Sequence, residues 1–240
     1  NSKFIHSSLA LRYLKAYGQA HGQAYDIVEY TINMPVLHIL GDITERNIDV
    51  LGFACYIWNI EMTLHVVDMV KAVRPDIKII LGGPEVSFTA DEILNRCAAV
   101  DYVVQGEGEE AFYQLISALI DGKDGLEEQI PGVRGRHVSG RLLGSTDTVE
   151  VKDLSTIPFP YVEEDMIDLE HKIIYYESSR GCPFSCQYCL SGNKNTVRFF
   201  PQERTFKELQ WFIDHKVKQV KFVDRTFNCA PHHHRPMMEF

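Results

Sequence analysis

Short runs rich in β-branched residues alternate with amphipathic stretches over the first 120 residues, and this alternation restricts the fold more than any other feature. It is typical of a parallel sheet wrapped by helices, because a helical crossover joins consecutive parallel strands. In "IEMTLHVVDMVKAV", for example, apolar residues recur at helical spacing. The segments predicted as strands are 26–32, 50–57, 77–83 and 101–106, and those predicted as helices are 8–21, 34–46, 60–73, 89–97 and 109–120.

The fold class predicted for residues 1–120 is therefore α/β, with a flavodoxin-like or Rossmann-like parallel sheet. The chain starts without Met and enters a helical pattern almost at once, so we expect a first strand upstream of residue 1. In a flavodoxin-like order the first strand is central. We therefore expect the sheet to be split where that strand is missing.

The pattern changes to turn-rich sequence over 121–171, which predicts a connecting segment with a small hairpin at 132–143. A new α/β unit follows in 172–240. One βαβ module cannot close its own sheet, so we expect this unit to be the start of a larger domain. The last residues, with three consecutive histidines at 232–234, are predicted to be a flexible terminus. Within the second unit, the predicted elements are a strand at 172–179, a helix at 206–216 and a strand at 219–224.

Composition and charge argue against several classes of protein. The chain has 240 residues and is 45% hydrophobic, which is enough for a core without disulfide bonds. The sequence shows no leader pattern and no apolar run of membrane-spanning length, so we expect a reducing, cytoplasmic setting with no membrane partner. Up to residue 170 there are 13 basic and 27 acidic residues, against 11 and 6 beyond it. Such an acidic first region disfavours nucleic-acid binding.

Cys182, Cys186 and Cys189 lie in the stretch "RGCPFSCQYCLSG", directly after a predicted strand. Their C-x3-C-x2-C spacing gathers soft thiolate ligands, which suit zinc or an iron–sulfur cluster. Structural zinc needs four protein ligands, and the nearby sequence offers no obvious fourth. Three ligands on an iron–sulfur cluster leave one iron open to a substrate or cofactor. The cluster is the favoured interpretation, while zinc and three unconnected thiols remain alternatives.

The segment "CPFSCQYC" at the end of a strand resembles the cluster loop of radical S-adenosylmethionine (SAM) enzymes. The resemblance implies a TIM-like barrel that begins with 172–240, a 4Fe-4S cluster on the three cysteines, and SAM on the open iron. Tyr188 then occupies the aromatic position that packs on the adenine. In the family, reduction of the cluster leads to SAM cleavage, and a 5′-deoxyadenosyl radical abstracts hydrogen from a substrate. The family's glycine-and-glutamate segment is replaced here by "VDRTFN", in which Asp224 is the candidate ligand for the cofactor's amino group.

Together with the first domain, the cysteine loop resembles cobalamin-binding radical SAM proteins, in particular a subgroup with "NSKFIHSSLALRYL" near the start. The resemblance covers nearly the entire chain. Of the familiar cobalamin motifs, D-x-H-x-x-G, S-x-L and a double glycine, only His6, the candidate axial ligand of the cobalt, and Gly82-Gly83 match, so cobalamin itself stays open. Tyr56 and Trp58 could instead pack on a corrin that has no protein ligand. Glu107, after the last predicted strand of this domain, is a further candidate for cofactor binding.

The predicted function is a radical SAM enzyme with an N-terminal cobalamin-type domain, acting in methyl transfer or a radical rearrangement. The expected partners are a substrate of unknown identity, such as a small molecule, and a reductant such as flavodoxin or ferredoxin. A non-catalytic metal- or corrinoid-binding module is the alternative from another class. Transfer-RNA thiomethylation is disfavoured by the acidic first half of the chain.

Overall fold

The computed structural model describes residues 7–126, 129–165, 169–170, 172–190 and 196–240. Within these residues the chain forms two compact units. Unit 1 contains residues 17–151, and unit 2 contains residues 7–16 together with 152–240. The division after residue 151 falls inside the segment predicted to connect two domains. Helix α1 (Leu9–Ala20) contributes residues to both units.

Unit 1 is an α/β unit, as the alternating pattern predicts. Its described residues form one sheet of five strands in the order β1-β2-β3-β4-β5. Strands β1, β2 and β3 are parallel, and β4 and β5 continue the sheet as an antiparallel hairpin. The elements of unit 1 after α1 are α2 (Val36–Glu45), β1 (Val50–Ala54), α3 (Ile60–Val73), β2 (Lys78–Gly82), α4 (Ala90–Arg96), β3 (Tyr102–Val104), α5 (Gly108–Ile120), β4 (Val133–Arg136) and β5 (Leu142–Gly144).

The two faces of this sheet bury different sets of side chains. Along β2, Ile79 and Leu81 pack into one core with residues of α2, α3 and α4, while Ile80 packs into a second core with residues of α5. Successive side chains of a strand point to opposite faces, so a strand covered on both faces is a continuous apolar run. Each of these buried side chains contributes about 1.5–3 kcal/mol to folding. The helices thereby hold the carboxyl ends of β1–β3 in a fixed arrangement.

Unit 2 combines a parallel strand pair with an antiparallel ribbon. Strand β6 pairs in parallel with β9, and β7 pairs antiparallel with β8. Tyr176 on β6 and Phe212 on the helix that follows β8 are buried in one aromatic core. The elements are 3-10 turns at Leu154–Thr156 and Glu163–Asp165, β6 (Ile174–Tyr176), β7 (Ser179–Gly181), β8 (Val197–Phe199), α6 (Gln202–Asp214), β9 (Val220–Phe222) and α7 (Pro231–Glu239).

Two predictions about the first sheet are wrong for the described residues. Segment 26–32 forms no strand; its aromatic residue Tyr30 instead packs beside α2 and donates a hydrogen bond to Asp42. A segment of strand-like sequence needs a neighbouring strand to pair its backbone groups. Where there is none, side-chain contacts determine the conformation of the segment. The sheet is also not split, because β1 pairs directly with β2 over its whole length.

Two predictions about unit 2 also need correction. The run predicted as one strand at 172–179 is interrupted at residues 177 and 178, and its two halves pair in different sheets. The histidine-containing end is not a flexible tail but helix α7, which starts at Pro231. Proline suits the first helical position because its missing N–H would have no helical partner there. Among the described residues, no helix is long and apolar enough to cross a membrane.

Candidate functional sites at two strand edges

The first candidate site lies where β1 and β2 end. The Cys55 backbone N–H donates to the Gly82 carbonyl at 2.7 Å, and the Cys55 carbonyl accepts from the Glu85 N–H at 3.3 Å. The two loops that follow these strands are therefore joined through their backbones. Burial raises the pKa of the Cys55 thiol to about 12, so this side chain is an inert part of the core. Ligands of open α/β sheets bind beyond this carboxyl edge.

Gly82 and Gly83 end the second strand, and the structure separates their roles. Gly83 has a φ of +106°, and a Cβ there would lie 2.6 Å from the Cys55 carbonyl oxygen. Glycine is required at this position both by the backbone angle and by the close approach. A Cβ at Gly82 would lie 3.8 Å from the Val104 carbonyl oxygen, an ordinary contact. The fold therefore requires glycine at 83 but not at 82, where a Cβ would fit without a close contact.

Asn59 fixes the loop after β1, and sequence reasoning did not single it out. Its side-chain oxygen accepts from the Tyr56 N–H at 2.7 Å, and its amide donates to the Ala54 carbonyl at 2.9 Å. These bonds end the strand at residue 54, three residues before the predicted end. The only sequence signal is an asparagine directly before helix α3, where asparagine is a favoured N-cap residue. Here its side chain bonds to the preceding loop and makes no cap hydrogen bond to the helix.

This fixed loop presents apolar surface at the sheet edge. The rings of Tyr56 and Trp58 stack with centroids 4.7 Å apart and an interplanar angle of 5°. Ile57 is 77% exposed, Trp58 is 50% exposed and Phe88, in the loop after β2, is 47% exposed. Exposed apolar side chains close to one another are typical of ligand or partner surfaces. Tyr56 thus lies in the loop after β1, beside exposed apolar side chains.

The end of β3 differs from the ends of β1 and β2, because its polar groups already form hydrogen bonds with other residues of unit 1. The Glu107 N–H donates to the Val149 carbonyl at 2.9 Å, and the Glu107 carboxylate accepts from the Val151 N–H at 2.7 Å. Gly106 has a φ of +87°, and a Cβ there would lie 2.2 Å from the Val149 carbonyl oxygen. Glu107 therefore ties segment 149–151 to the sheet, and it can do so without any cofactor.

Ser87 is a second residue that sequence reasoning missed. It is 4% exposed; its hydroxyl donates to the Gly83 carbonyl at 2.8 Å and accepts from the Gly106 N–H at 3.0 Å. The loops after β2 and β3 are thereby joined. A serine within a turn-rich stretch gives no sequence signal for this role.

The second candidate site is the cysteine loop of unit 2, which connects β7 to β8. Gly181, at its start, has a φ of +96°, and a Cβ there would lie 2.2 Å from the Thr196 carbonyl oxygen. Cys182 is half-buried, whereas Cys186 and Cys189 are exposed, and none of them is in a disulfide. The Cys189 N–H donates to the Cys186 carbonyl at 3.0 Å, so the last two cysteines flank a turn.

The thiols are close in sequence, but they do not form a preformed metal site. In the part of the chain that the structure describes, no group of three or more His, Cys, Asp or Glu side chains is placed to hold a metal ion. Tyr188 is 92% exposed, and its neighbours Phe184 and Leu190 are 59% and 55% exposed. The donor chemistry fits an iron–sulfur cluster, since three free thiols lie in one accessible loop.

Asp224 lies at the carboxyl end of β9, and its carboxylate binds the chain just before the cysteine loop. It accepts from the Ser178 N–H at 3.1 Å, from the Ser178 hydroxyl at 2.8 Å and from the Ser179 hydroxyl at 2.5 Å. The structure thus places this predicted cofactor ligand at the base of the loop. His6, the predicted axial ligand, lies outside the described residues.

Comparison with known proteins identifies the class of unit 1. A family model described as the B12 binding domain matches residues 1–116. The TsrM structure, a radical SAM methyltransferase from Kitasatospora setae with tryptophan and a SAM analogue bound, has the same fold. Its TM-score is 0.77 at 15% identity, over 98% of this chain and 48% of that chain. Unit 1 is therefore a sheet domain of the B12-binding type.

Sequence relatives extend the comparison to most of the chain. The cobalamin-dependent radical SAM methyltransferase TokK of Streptomyces tokunonensis is 31% identical over 220 residues, 87% of this chain and 32% of that protein. The 2-(S-pantetheinyl)-carbapenam-3-carboxylate methyltransferase of Streptantibioticus cattleyicolor is 33% identical over 195 residues, 76% of this chain and 28% of that protein. This chain carries a B12-binding domain and is homologous to cobalamin-dependent radical SAM methyltransferases, which confirms the family predicted from its motifs. The chain spans about a third of the length of these relatives.

Proposed function

We propose that this chain binds cobalamin on unit 1 and a 4Fe-4S cluster with SAM on unit 2, as part of a cobalamin-dependent radical SAM methyltransferase. The observation that carries the proposal is the homology to TokK across both units. An alignment that covers 87% of 240 residues includes the cysteine loop, whichever end it omits. The B12-binding match alone supports only the first half of the proposal.

On unit 1, the edge formed by the ends of β1 and β2 would receive the corrin. Gly82 leaves space for close approach, and the stacked pair Tyr56 and Trp58 offers an apolar surface to a flat macrocycle. Asn59 keeps that pair in place through its bonds to the loop backbone. These residues fit a corrin because they provide an apolar surface and space beside it. This fit requires no protein ligand on the cobalt.

On unit 2, Cys182, Cys186 and Cys189 would hold three irons of the cluster, and Tyr188 would cover part of the bound SAM. When bound, the cluster and SAM supply radical chemistry, and cobalamin supplies a carrier for the transferred group. The contribution of the chain is to bring three accessible thiols together from a loop whose start is anchored at Gly181. The exposed Phe184 and Leu190 would exclude water from the site once the loop closes around its ligands.

We further propose that the protein works in the cytoplasm on a small molecule, with electrons from a flavodoxin or ferredoxin. A reducing compartment suits a cluster on three free thiols. The acidic charge of the first 170 residues makes a nucleic acid an unfavourable partner.

The test uses the intact protein, reconstituted without oxygen and incubated with SAM and a strong reductant, with and without cobalamin. We expect formation of 5′-deoxyadenosine and methionine, which is lost together with the bound iron in Cys186→Ala. Cys229→Ala is the matched control, because Cys229 is a half-buried free cysteine outside the loop.

Each outcome has a clear meaning. Loss of iron and SAM cleavage in Cys186→Ala alone supports the proposed radical chemistry. A fully loaded cluster that cleaves no SAM would count against it and favour a non-catalytic module. Bound zinc, with loss of fold stability in Cys186→Ala, would replace the cluster by a structural zinc site.

A further inference from the structure

The Asp224 carboxylate accepts several hydrogen bonds close to the start of the cysteine loop. Its Oδ1 accepts from the hydroxyl groups of both Ser178 and Ser179, and the Ser178 N–H is shared between Oδ1 and Oδ2 at 3.1 Å each. Ser178 is 0% exposed and Ser179 is 5% exposed. Hydrogen bonds to an ionised acceptor are about twice as strong as neutral ones. The carboxylate therefore holds Ser178, which lies between β6 and β7, and Ser179, the first residue of β7.

The position of these serines determines where the cysteine loop starts. Ser179 is the first residue of β7, and Cys182 follows the last residue of that three-residue strand. The Ser178 carbonyl accepts from the Phe200 N–H at 3.0 Å, which also fixes the end of the returning strand β8. A shift at Ser178 would therefore move both arms of the loop.

His233, on α7, completes this arrangement from the other side. Its Nε2 lies 3.1 Å from the Ser178 hydroxyl oxygen, and the side chain is 5% exposed. The single hydroxyl proton of Ser178 is donated to Asp224, so this oxygen accepts from His233, and Nε2 carries the proton. Helix α7 is thus connected through His233 and Ser178 to the carboxylate of Asp224.

We propose that Asp224 is a positioning residue for the cluster loop: it acts through Ser178 and Ser179 to hold Cys182 where the cluster forms, and it is not a ligand of the cofactor. This inference rests on the proposed function for its chemical meaning. Groups that orient metal ligands without touching the metal commonly change metal affinity about 10–100-fold when they are removed. Asp224 contacts the start of the loop in the same indirect way.

The test compares Asp224→Asn with Ser179→Ala and with the control Glu208→Gln in the intact protein. Glu208 is a 6% exposed carboxylate of unit 2 that accepts from the Tyr176 hydroxyl at 2.7 Å and from Arg204 at 2.6 Å. It therefore matches Asp224 as a hydrogen-bonded carboxylate but does not contact the loop start. Four quantities are measured: alkylation of Cys182 in the metal-free protein, iron retained against a chelator, the electron paramagnetic resonance spectrum of the reduced cluster, and SAM binding.

In Asp224→Asn we expect Cys182 to be alkylated at least about threefold faster, because the loop start opens more often. We also expect about tenfold weaker iron retention and an altered spectrum. Ser179→Ala should change the same quantities by less, while Glu208→Gln should lower the melting temperature and leave them unchanged. The same changes in Glu208→Gln would show a general loss of stability and overturn the inference.

Two other results would also overturn it. Asp224→Asn could keep wild-type alkylation and iron retention but lose SAM binding, which would make Asp224 a cofactor ligand. It could also match the wild type in all four measurements. If the wild type binds no cluster, the proposed function fails, and the alkylation of Cys182 still decides whether Asp224 positions the loop.

Discussion

The first candidate site lies at the carboxyl ends of parallel strands, whereas the second lies in a loop that connects the antiparallel strands β7 and β8, and the two edges are built differently. In unit 1, backbone hydrogen bonds join the loops after β1 and β2, and Asn59 and Ser87 hold them from within. In unit 2, Asp224 and Gly181 hold the start of the cysteine loop, the Ser178 carbonyl binds the Phe200 N–H just after β8, and two of the thiols are exposed. The first edge is a formed surface, whereas the second is an anchored loop whose described side chains form no metal site.

This difference matches the chemistry that we propose for each edge. A corrin is a large, rigid group, which binds best to a surface that already has its shape. A cluster on three thiolates contributes its own strong bonds, and these can order a loop as the metal binds. A substitution in unit 1 should therefore change the stability of the fold, whereas one in the cysteine loop should mainly change metal retention.

We expect a substitution at Gly83 to disturb the formed edge of unit 1 more than any other change. Gly83→Ala should destabilise unit 1 by about 3 kcal/mol, because a left-handed backbone and a close contact with the Cys55 carbonyl act together. Gly82→Ala should change stability by less than about 1 kcal/mol, yet weaken cobalamin binding about tenfold by filling the space beside the sheet.

The measurement is urea unfolding followed by tryptophan fluorescence, with cobalamin titrations on the folded variants. The chain has two tryptophans, one in each unit, so Trp211→Phe leaves Trp58 to report on unit 1. Equal destabilisation by both glycine variants would contradict the separate roles of these residues.

Gly181 has a left-handed backbone like that of Gly83, but it lies at the start of the anchored loop in unit 2. Gly181→Ala should destabilise unit 2 by only about 1–2 kcal/mol, since Gly181 ends a short ribbon rather than a core strand. Its iron retention should fall about tenfold. Trp58→Phe leaves Trp211 to report on unit 2. A stability loss as large as that of Gly83→Ala, with iron retained, would reverse the contrast between the two edges.

Asn59 tests whether side chains as well as glycine form the first edge. Asn59→Ala removes the bonds to the Tyr56 N–H and the Ala54 carbonyl, and should cost about 1 kcal/mol. The stacked pair Tyr56 and Trp58 should also lose its fixed position, so the tryptophan emission spectrum of the folded Trp211→Phe variant should shift. The control is Asn95→Ala on the exposed side of α4, which should change neither quantity.

We expect the weakest effect in the pH dependence of the unfolding free energy of unit 2. Burial lowers the pKa of His233, while the Asp224 carboxylate raises it and the neighbouring His232 and His234 lower it further. The folded-state pKa then lies below the unfolded value of about 6.5, so protonation favours the unfolded state. This contribution to stability is present above pH 6.5 and is lost as the pH falls below it towards the folded-state pKa.

The check is the unfolding free energy of unit 2 at pH 7.5 and pH 5.5, in the wild type and in His233→Gln. Glutamine keeps a donor for Ser178 but does not titrate in this range. We expect the wild type to lose up to about 1 kcal/mol more than His233→Gln on acidification. The same loss in both proteins would mean that other groups cause the pH dependence.

Consecutive residues alone were enough to predict the α/β class, the order of most helices and strands, and the position of the three cysteines directly after a strand. These features are local, because the hydrophobic period of a segment and the spacing of ligands within a loop can be read from consecutive residues. The family also followed from local motifs, and the comparisons confirm it.

Contacts between distant segments were needed to separate the candidates that the fold already explains from those that it does not. The tertiary structure assigned Gly83 to the fold and left Gly82 free of that requirement, tied Glu107 to segment 149–151, and turned Asp224 towards Ser178. It also left the strand-like segment 26–32 unpaired among the described residues. The physical reason is that close approaches, hydrogen-bond partners and strand neighbours join residues far apart in sequence, so no local pattern contains them.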